Sequence, residues 1–245
     1  MKKIVNKSLM FCIALFFVQL VTVLPVKSQL VGTVIALTGS VFNIVTRDPV
    51  TVYLLVLDST MKKVNQTRSN AAENGLYYVT GLKPGNKYYI DIRQKNFLQE
   101  RVEINVPLSD KYQEVSRDFL VKPREKDAKI KITVPPFELN KAKIRYGTED
   151  MLMDYVNMMT SNPTLKIQIQ CYPDNEDNKA LNEKFTLERA KALSDFMTGK
   201  GIQTSRLAIT GSATLDPDPK NQPPKKKAAK GKRYIGTTYF VISEI

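Results

Sequence analysis

The apolar residues of this chain change their period once, near residue 122, and that switch limits the architectures open to it. Before it they come in short runs, at residues 30–38, 50–58, 76–80, 87–93, 98–106 and 114–121, rich in Val, Ile, Tyr, Leu and Phe. Asn74-Gly75 and Lys83-Pro84-Gly85-Asn86 separate them with residues that tolerate a positive φ or fix φ through a proline ring. Strands at this spacing, with hardly any helical periodicity, predict a small antiparallel β-sandwich over residues 29–121.

After the switch, strands and helices alternate. A strand is predicted at 130–134, followed by a helix capped by Thr148, with Met151, Leu152, Tyr155, Val156 and Met159 on one face. Residues 165–171 alternate as a half-buried strand. Thr186 is read as the cap of a second helix carrying Ala190, Leu193, Phe196 and Met197, ended by Gly199 or Gly201. Strands at 207–210 and 237–242 complete an α/β sandwich of helices packed on a mixed sheet, over residues 132–245. The charged, proline-bearing stretch 122–131 between the halves is read as a solvated linker. The whole is thus an α+β two-domain chain.

Ahead of the first strand, Lys2, Lys3 and Lys7 precede an apolar run over residues 9–26 that ends near the small residue Ser28. That is the pattern of a secretory signal peptide, residues 1–28, with cleavage before Gln29; the length of the run leaves a retained anchor open. Cys12 sits inside the run behind the bulky Phe11, where lipid attachment calls for a small residue. No second apolar stretch of spanning length follows, so no transmembrane span is expected after cleavage.

Past the leader only Cys171 remains, which excludes an internal disulfide. There is no histidine in the 245 residues, which removes Ser-His-Asp and Cys-His nucleophiles and histidine-bound metals. Glu176 and Asp177 are neighbouring acids in a polar loop and are read as solvated. The chain is therefore read as no enzyme, with no cofactor and no metal. Its net charge of +13, to which the leader lysines contribute, suits a polyanionic or membrane-surface partner, or simply a basic soluble protein.

Two segments resemble known families. Asn74-Gly75-Leu76-Tyr77-Tyr78-Val79-Thr80-Gly81-Leu82-Lys83-Pro84-Gly85, followed by Tyr88-Tyr89, resembles the carboxypeptidase regulatory-like, transthyretin-type sandwich. That resemblance implies a spacer, or a contact with another envelope protein, and no peptidase chemistry. In the second half Cys171-Tyr172-Pro173-Asp174, then Asn182, then Phe185-Thr186-Leu187-Glu188-Arg189-Ala190, resemble the signature of the OmpA-like peptidoglycan-binding family. The segment around Phe137, Asn140 and Ile144, and Gly199-Lys200-Gly201-Ile202 with Arg206, Leu207 and Gly211, are similar to that family's flanking motifs.

The second resemblance implies an envelope protein of a Gram-negative-type bacterium, periplasmic and associated with the cell wall or outer membrane. It also implies that Asp174 and Arg189 hold the diaminopimelate of the peptidoglycan stem peptide, a free amino-acid centre that needs an anion and a cation presented together. Arg189 is expected in the first turn of its helix, turned outward beside Asp174, with Asn182 tying the intervening loop. The chain departs from the family at Pro173, at Asp177 where a glycine is usual, and at the closing strand, which lacks the family's arginines. These departures support a second reading, an envelope scaffold whose degenerate OmpA-like domain serves protein contacts. Lys220, Lys225, Lys226, Lys227, Lys230, Lys232 and Arg233 form a basic run, read either as salt-dependent contacts to glycan or lipid head-group anions or as a solvated loop. No motif supports nucleic-acid binding.

Overall fold

A computed structural model of the protein describes residues 34–223 and 234–245. The predicted leader, and Lys225, Lys226, Lys227, Lys230, Lys232 and Arg233 of the basic run, lie outside the described residues.

The first half folds as eight strands, β1 (Ile35–Asn43), β2 (Tyr53–Asp58), β3 (Lys63–Arg68), β4 (Leu76–Leu82), β5 (Lys87–Arg93), β6 (Glu100–Asn105), β7 (Gln113–Ser116) and β8 (Phe119–Val121). One sheet runs β3-β2-β5-β6 and is antiparallel throughout. The other runs β4-β1-β7, with β8 also paired to β1. Here β1 is antiparallel to β4 but parallel to both β7 and β8, a departure from a wholly antiparallel sandwich. Alternation along β2, β4 and β5 turns Leu54, Val56, Tyr77, Val79, Ile90 and Ile92 inward against Ile35 and Leu37 of β1. Each such side chain, fully buried, contributes about 1.5–3 kcal/mol.

Two details escape the apolar pattern. The run 114–121 breaks into β7 and β8 at Arg117-Asp118, where the Arg117 carbonyl accepts a 2.6 Å hydrogen bond from the buried Tyr77 hydroxyl. Strand β3, Lys-Val-Asn-Gln-Thr-Arg, is a mostly exposed edge and carries no apolar run to announce it.

The second half contains β9 (Lys129–Lys131), α1 (Glu149–Ser161), β10 (Lys166–Cys171), α2 (Lys179–Gly199), β11 (Leu207–Gly211) and β12 (Thr238–Glu244). The sheet order is β11-β10-β12-β9; β10 and β11 are parallel and the other pairs antiparallel. Both helices pack into one core, Leu152, Val156 and Met159 of α1 and Ala190, Leu193 and Met197 of α2 meeting Ile130, Ile167, Ile169 and Phe240 of the sheet.

Helix α2 begins earlier than its apolar spacing suggests. Asn178 is its cap, accepting from the Leu181 N–H at 3.1 Å. Thr186 lies inside the helix, where its hydroxyl donates back to the Asn182 carbonyl at 2.8 Å.

Within the stretch 122–131, Arg124, Glu125, Lys126 and Asp127 are exposed, but its ends are held in the fold. Lys122 is 6% exposed and its ammonium meets Glu100 at 2.7 Å, and Ile130 is buried in β9. The Leu98 N–H donates to the Lys122 carbonyl and the Arg124 N–H to that of Asn96, so the chain is tied down as it crosses. Leu98 itself sits in the core of the second half. Beside it the Asn162 side chain brackets Gln99, accepting from its N–H at 3.0 Å and donating to its carbonyl at 2.8 Å. The two halves therefore meet through a hydrogen-bonded, partly apolar junction.

Candidate functional site

Strand β10 leaves the sheet at Tyr172-Pro173, and Asp174 stands at its exit. Its carboxylate meets the Arg189 guanidinium through two parallel bonds, Nη1 to Oδ1 at 2.5 Å and Nη2 to Oδ2 at 2.9 Å. The structure thus brings together the two residues singled out from the sequence. It does not turn them outward: the side chains are 3% and 1% exposed.

Asp174 is saturated, and Arg189 has four of its five N–H donors in bonds within the fold. Oδ1 of Asp174 also accepts from the Gly236 N–H at 2.7 Å, and Oδ2 from the Asn140 N–H at 2.9 Å, so the carboxylate's four favourable acceptor positions are filled. Arg189 gives Nε to the Lys141 carbonyl at 3.0 Å and Nη2 to the Glu138 carbonyl at 3.1 Å. Its guanidinium lies between the Phe137 and Phe185 rings, 5.0 and 4.3 Å from their centroids. Because α2 starts at Lys179, Arg189 falls near the middle of the helix and not in its first turn. The pair acts as a keystone that ties α2, the β10 exit, the 138–141 turn and the approach to β12 into one unit.

The approach to β12 depends on a glycine. A Cβ at Gly236 would stand 2.0 Å from the Tyr172 carbonyl oxygen, so no side chain fits where this backbone must come close enough to give its N–H to Asp174. Nearby, Asp216 is 2% exposed and accepts from the Thr237 and Tyr239 hydroxyls at 2.5 and 2.7 Å. Burial pushes its pKa up, but those hydroxyls and the Asp218 N–H outweigh burial and hold it below the ordinary carboxylate value.

Beside the ion pair opens a cavity of about 410 Å³, lined by Asn140, Asp174, Asn175, Asp177, Asn178, Leu181, Asn182 and Phe185. Asn182 is 8% exposed and donates Nδ2 to the Asn175 carbonyl at 2.9 Å, which ties the loop to α2. Arg189 is not in the wall. Of the lining residues, the sequence motifs contain Phe185 but not Asn175, Asn178 or Leu181, because short polar residues before a helix and an exposed leucine in its first turn carry no periodic signal. Asn140 had been quoted only within a flanking motif, and its positive φ of 53° is what aims its N–H at Asp174.

Little else in the described residues offers chemistry. Burial pushes the Cys171 thiol up to about 12, against the lowering effect of Thr238 and Arg189, so it is no nucleophile. Among the described residues no His/Cys/Asp/Glu cluster could hold a metal, and no helix is long and apolar enough to cross a membrane. Lys220, the described member of the basic run, is exposed, and its N–H donates to Asp218. A separate cavity of about 310 Å³ lies at the junction of the halves, with Phe119, Lys122, Tyr155 and Met158 in its wall.

The second half is thus a mixed sheet backed by two helices, with a cavity against a buried acid–arginine pair where a strand leaves the sheet. Residues 136–231 match the OmpA family, so the second half of this chain carries an OmpA-like domain. Solved structures similar to the chain include the peptidoglycan-associated lipoprotein from Burkholderia pseudomallei, at 14% identity and TM-score 0.34, covering 44% of this chain and 86% of that one. The OmpA-like domain of FopA1 from Francisella tularensis is 12% identical with TM-score 0.33, covering 50% and 86%. The Bacillus anthracis TIE protein is 11% identical with TM-score 0.31; the match covers 37% of this chain and spans only 16% of that protein.

Proposed function

We propose that this is a non-catalytic protein of the periplasm, associated with the cell wall or outer membrane, that binds peptidoglycan non-covalently by taking stem-peptide diaminopimelate into the cavity beside Asp174 and Asn182. The observation that carries this reading is the position of the cavity, which opens against the Asp174–Arg189 pair inside the region that matches the OmpA family. In it Arg189 is a positioning residue: its donors hold Asp174 and the 138–141 turn, and it shapes the wall without gripping the guest. The basic run at Lys225, Lys226, Lys227, Lys230, Lys232 and Arg233 adds a salt-dependent attraction to envelope anions. The N-terminal sandwich spaces the site or contacts another envelope protein.

Sedimentation with purified sacculi tests the reading. Leu181 lines the cavity and is 65% exposed, so Leu181→Arg fills the space while changing stability by no more than about 0.5 kcal/mol. The wild type pellets with sacculi and the variant stays in the supernatant; equal pelleting of the two removes the cavity from the account. The saturation of Asp174 and the inward-turned bonds of Arg189 favour a second reading, an envelope scaffold whose OmpA-like domain has become a protein-contact fold. A stable co-purifying partner, together with no sacculus binding by the wild type, selects it.

A further inference from the structure

Resting on that reading, we infer that the cavity recognises its guest by an ammonium group received by Asp177, and that it places no demand on the carboxylate beside that ammonium. A stem peptide carrying lysine, or diaminopimelate with its side-chain carboxylate amidated, is then held as well as the free acid.

Few groups in the cavity are left without a partner. Asp174 reaches the wall, but all its acceptor positions are taken by Arg189, Asn140 and Gly236. Arg189 gives its donors to Asp174, Glu138 and Lys141 and does not line the space. Among the described residues no lysine or arginine lines it, and the neighbouring Lys141 is paired with Glu138. Asp177 does line it. The only bond of Asp177 among the described residues is made by its backbone N–H, to Asn175 Oδ1 at 3.1 Å, so its carboxylate is free for a donor.

The remaining groups are neutral. Asn175 and Asn178 each use Oδ1, on Asp177 and Leu181, which leaves their amide N–H groups free. Asn182 uses Nδ2 on the Asn175 carbonyl, which leaves Oδ1 free. A set of amide donors and acceptors with one full negative charge matches an ammonium next to a carboxamide. A guest carboxylate would meet the charge of Asp177 and, among the described residues, no compensating cation. The positive end of α2 opposes this, but it amounts to about half a charge that fades within the first turn, and the Leu181 N–H there is already capped. The full charge decides.

The test is a titration of the full chain, by calorimetry, with four L-Ala-γ-D-Glu tripeptides ending in meso-diaminopimelate, its side-chain carboxamide, L-lysine or Nε-acetyl-lysine. The first three agree within about threefold in Kd, and the acetylated peptide, which has lost the charge, is weaker by about tenfold or more. Asp177→Asn weakens the first three by about tenfold while leaving the melting temperature unchanged. Binding of the free acid about tenfold tighter than its carboxamide and the lysine peptide, or indifference to Asp177→Asn, overturns the inference. If sacculi still pellet the protein in that case, the peptidoglycan reading stands and only the ammonium rule falls. If neither sacculi nor any peptide binds, both fall.

Discussion

Arg189 spends its donors inside the fold, and that decides how its substitution reads. A buried ion pair is a poor source of net stability, because desolvating both charges offsets most of their attraction. Removing one partner is another matter, since the other charge is left buried and alone. Arg189→Leu therefore lowers the unfolding free energy in urea by about 3–5 kcal/mol. Asp177→Asn, in an exposed loop, changes it by less than about 0.5 kcal/mol. Should Arg189→Leu be as stable as the wild type and lose only ligand binding, the guanidinium faces the guest after all. The identity of the pair was legible in the sequence because Asp174 and Arg189 sit in motifs of recognisable order. Its burial was not, since the groups that saturate it come from Asn140, Lys141, Glu138 and Gly236, four positions whose backbone atoms do the bonding. Backbone hydrogen bonds leave almost no trace in residue type.

At the scale of elements, the strands and helices with a buried face were legible and those without one were not. Strand β10 alternates throughout and β2, β4 and β5 over part of their length, and α1 carries its apolar stripe where the spacing places it. Edge strand β3 was missed because nothing on it is fully buried. The start of α2 was misread because Thr186 precedes the apolar face and resembles a cap, whereas Lys179 to Phe185 extend the helix with residues that are good helix formers but mostly exposed. The true cap belongs to the cavity wall, which couples helix stability to the site. Asn178→Ala costs about 1 kcal/mol of stability, read by urea denaturation, through the lost bond to the Leu181 N–H. An unchanged midpoint would mean that α2 is held by its packing alone.

Over the whole molecule, the two halves share a boundary that composition alone describes badly. The charges of 122–131 suggested solvent, yet Lys122 pairs with Glu100 and lies 5.6 Å from the centroid of the Tyr155 ring, while Leu98 and Asn162 join the sandwich to the second core. Each half also buries a carboxylate whose pKa is lowered. Burial raises that of Asp91, but bonds from Arg101 and Arg93 more than offset it; for Asp216 the Thr237 and Tyr239 hydroxyls do so. A depressed folded pKa gives stability that is present above the ordinary carboxylate value and lost as pH falls through the folded one. Calorimetry should then show one transition whose midpoint drops below about pH 4; two separate transitions would show that the junction does not couple the halves. If peptidoglycan enters the cavity beside the buried pair, a stem peptide added to the full chain moves the amide chemical shifts of the residues that line it. Saturable shifts are expected at Asn140, Asn175, Asp177 and Asn182, with Tyr155 and Lys122 at the junction unmoved. Shifts confined to the junction, or none at the four cavity residues, would contradict it.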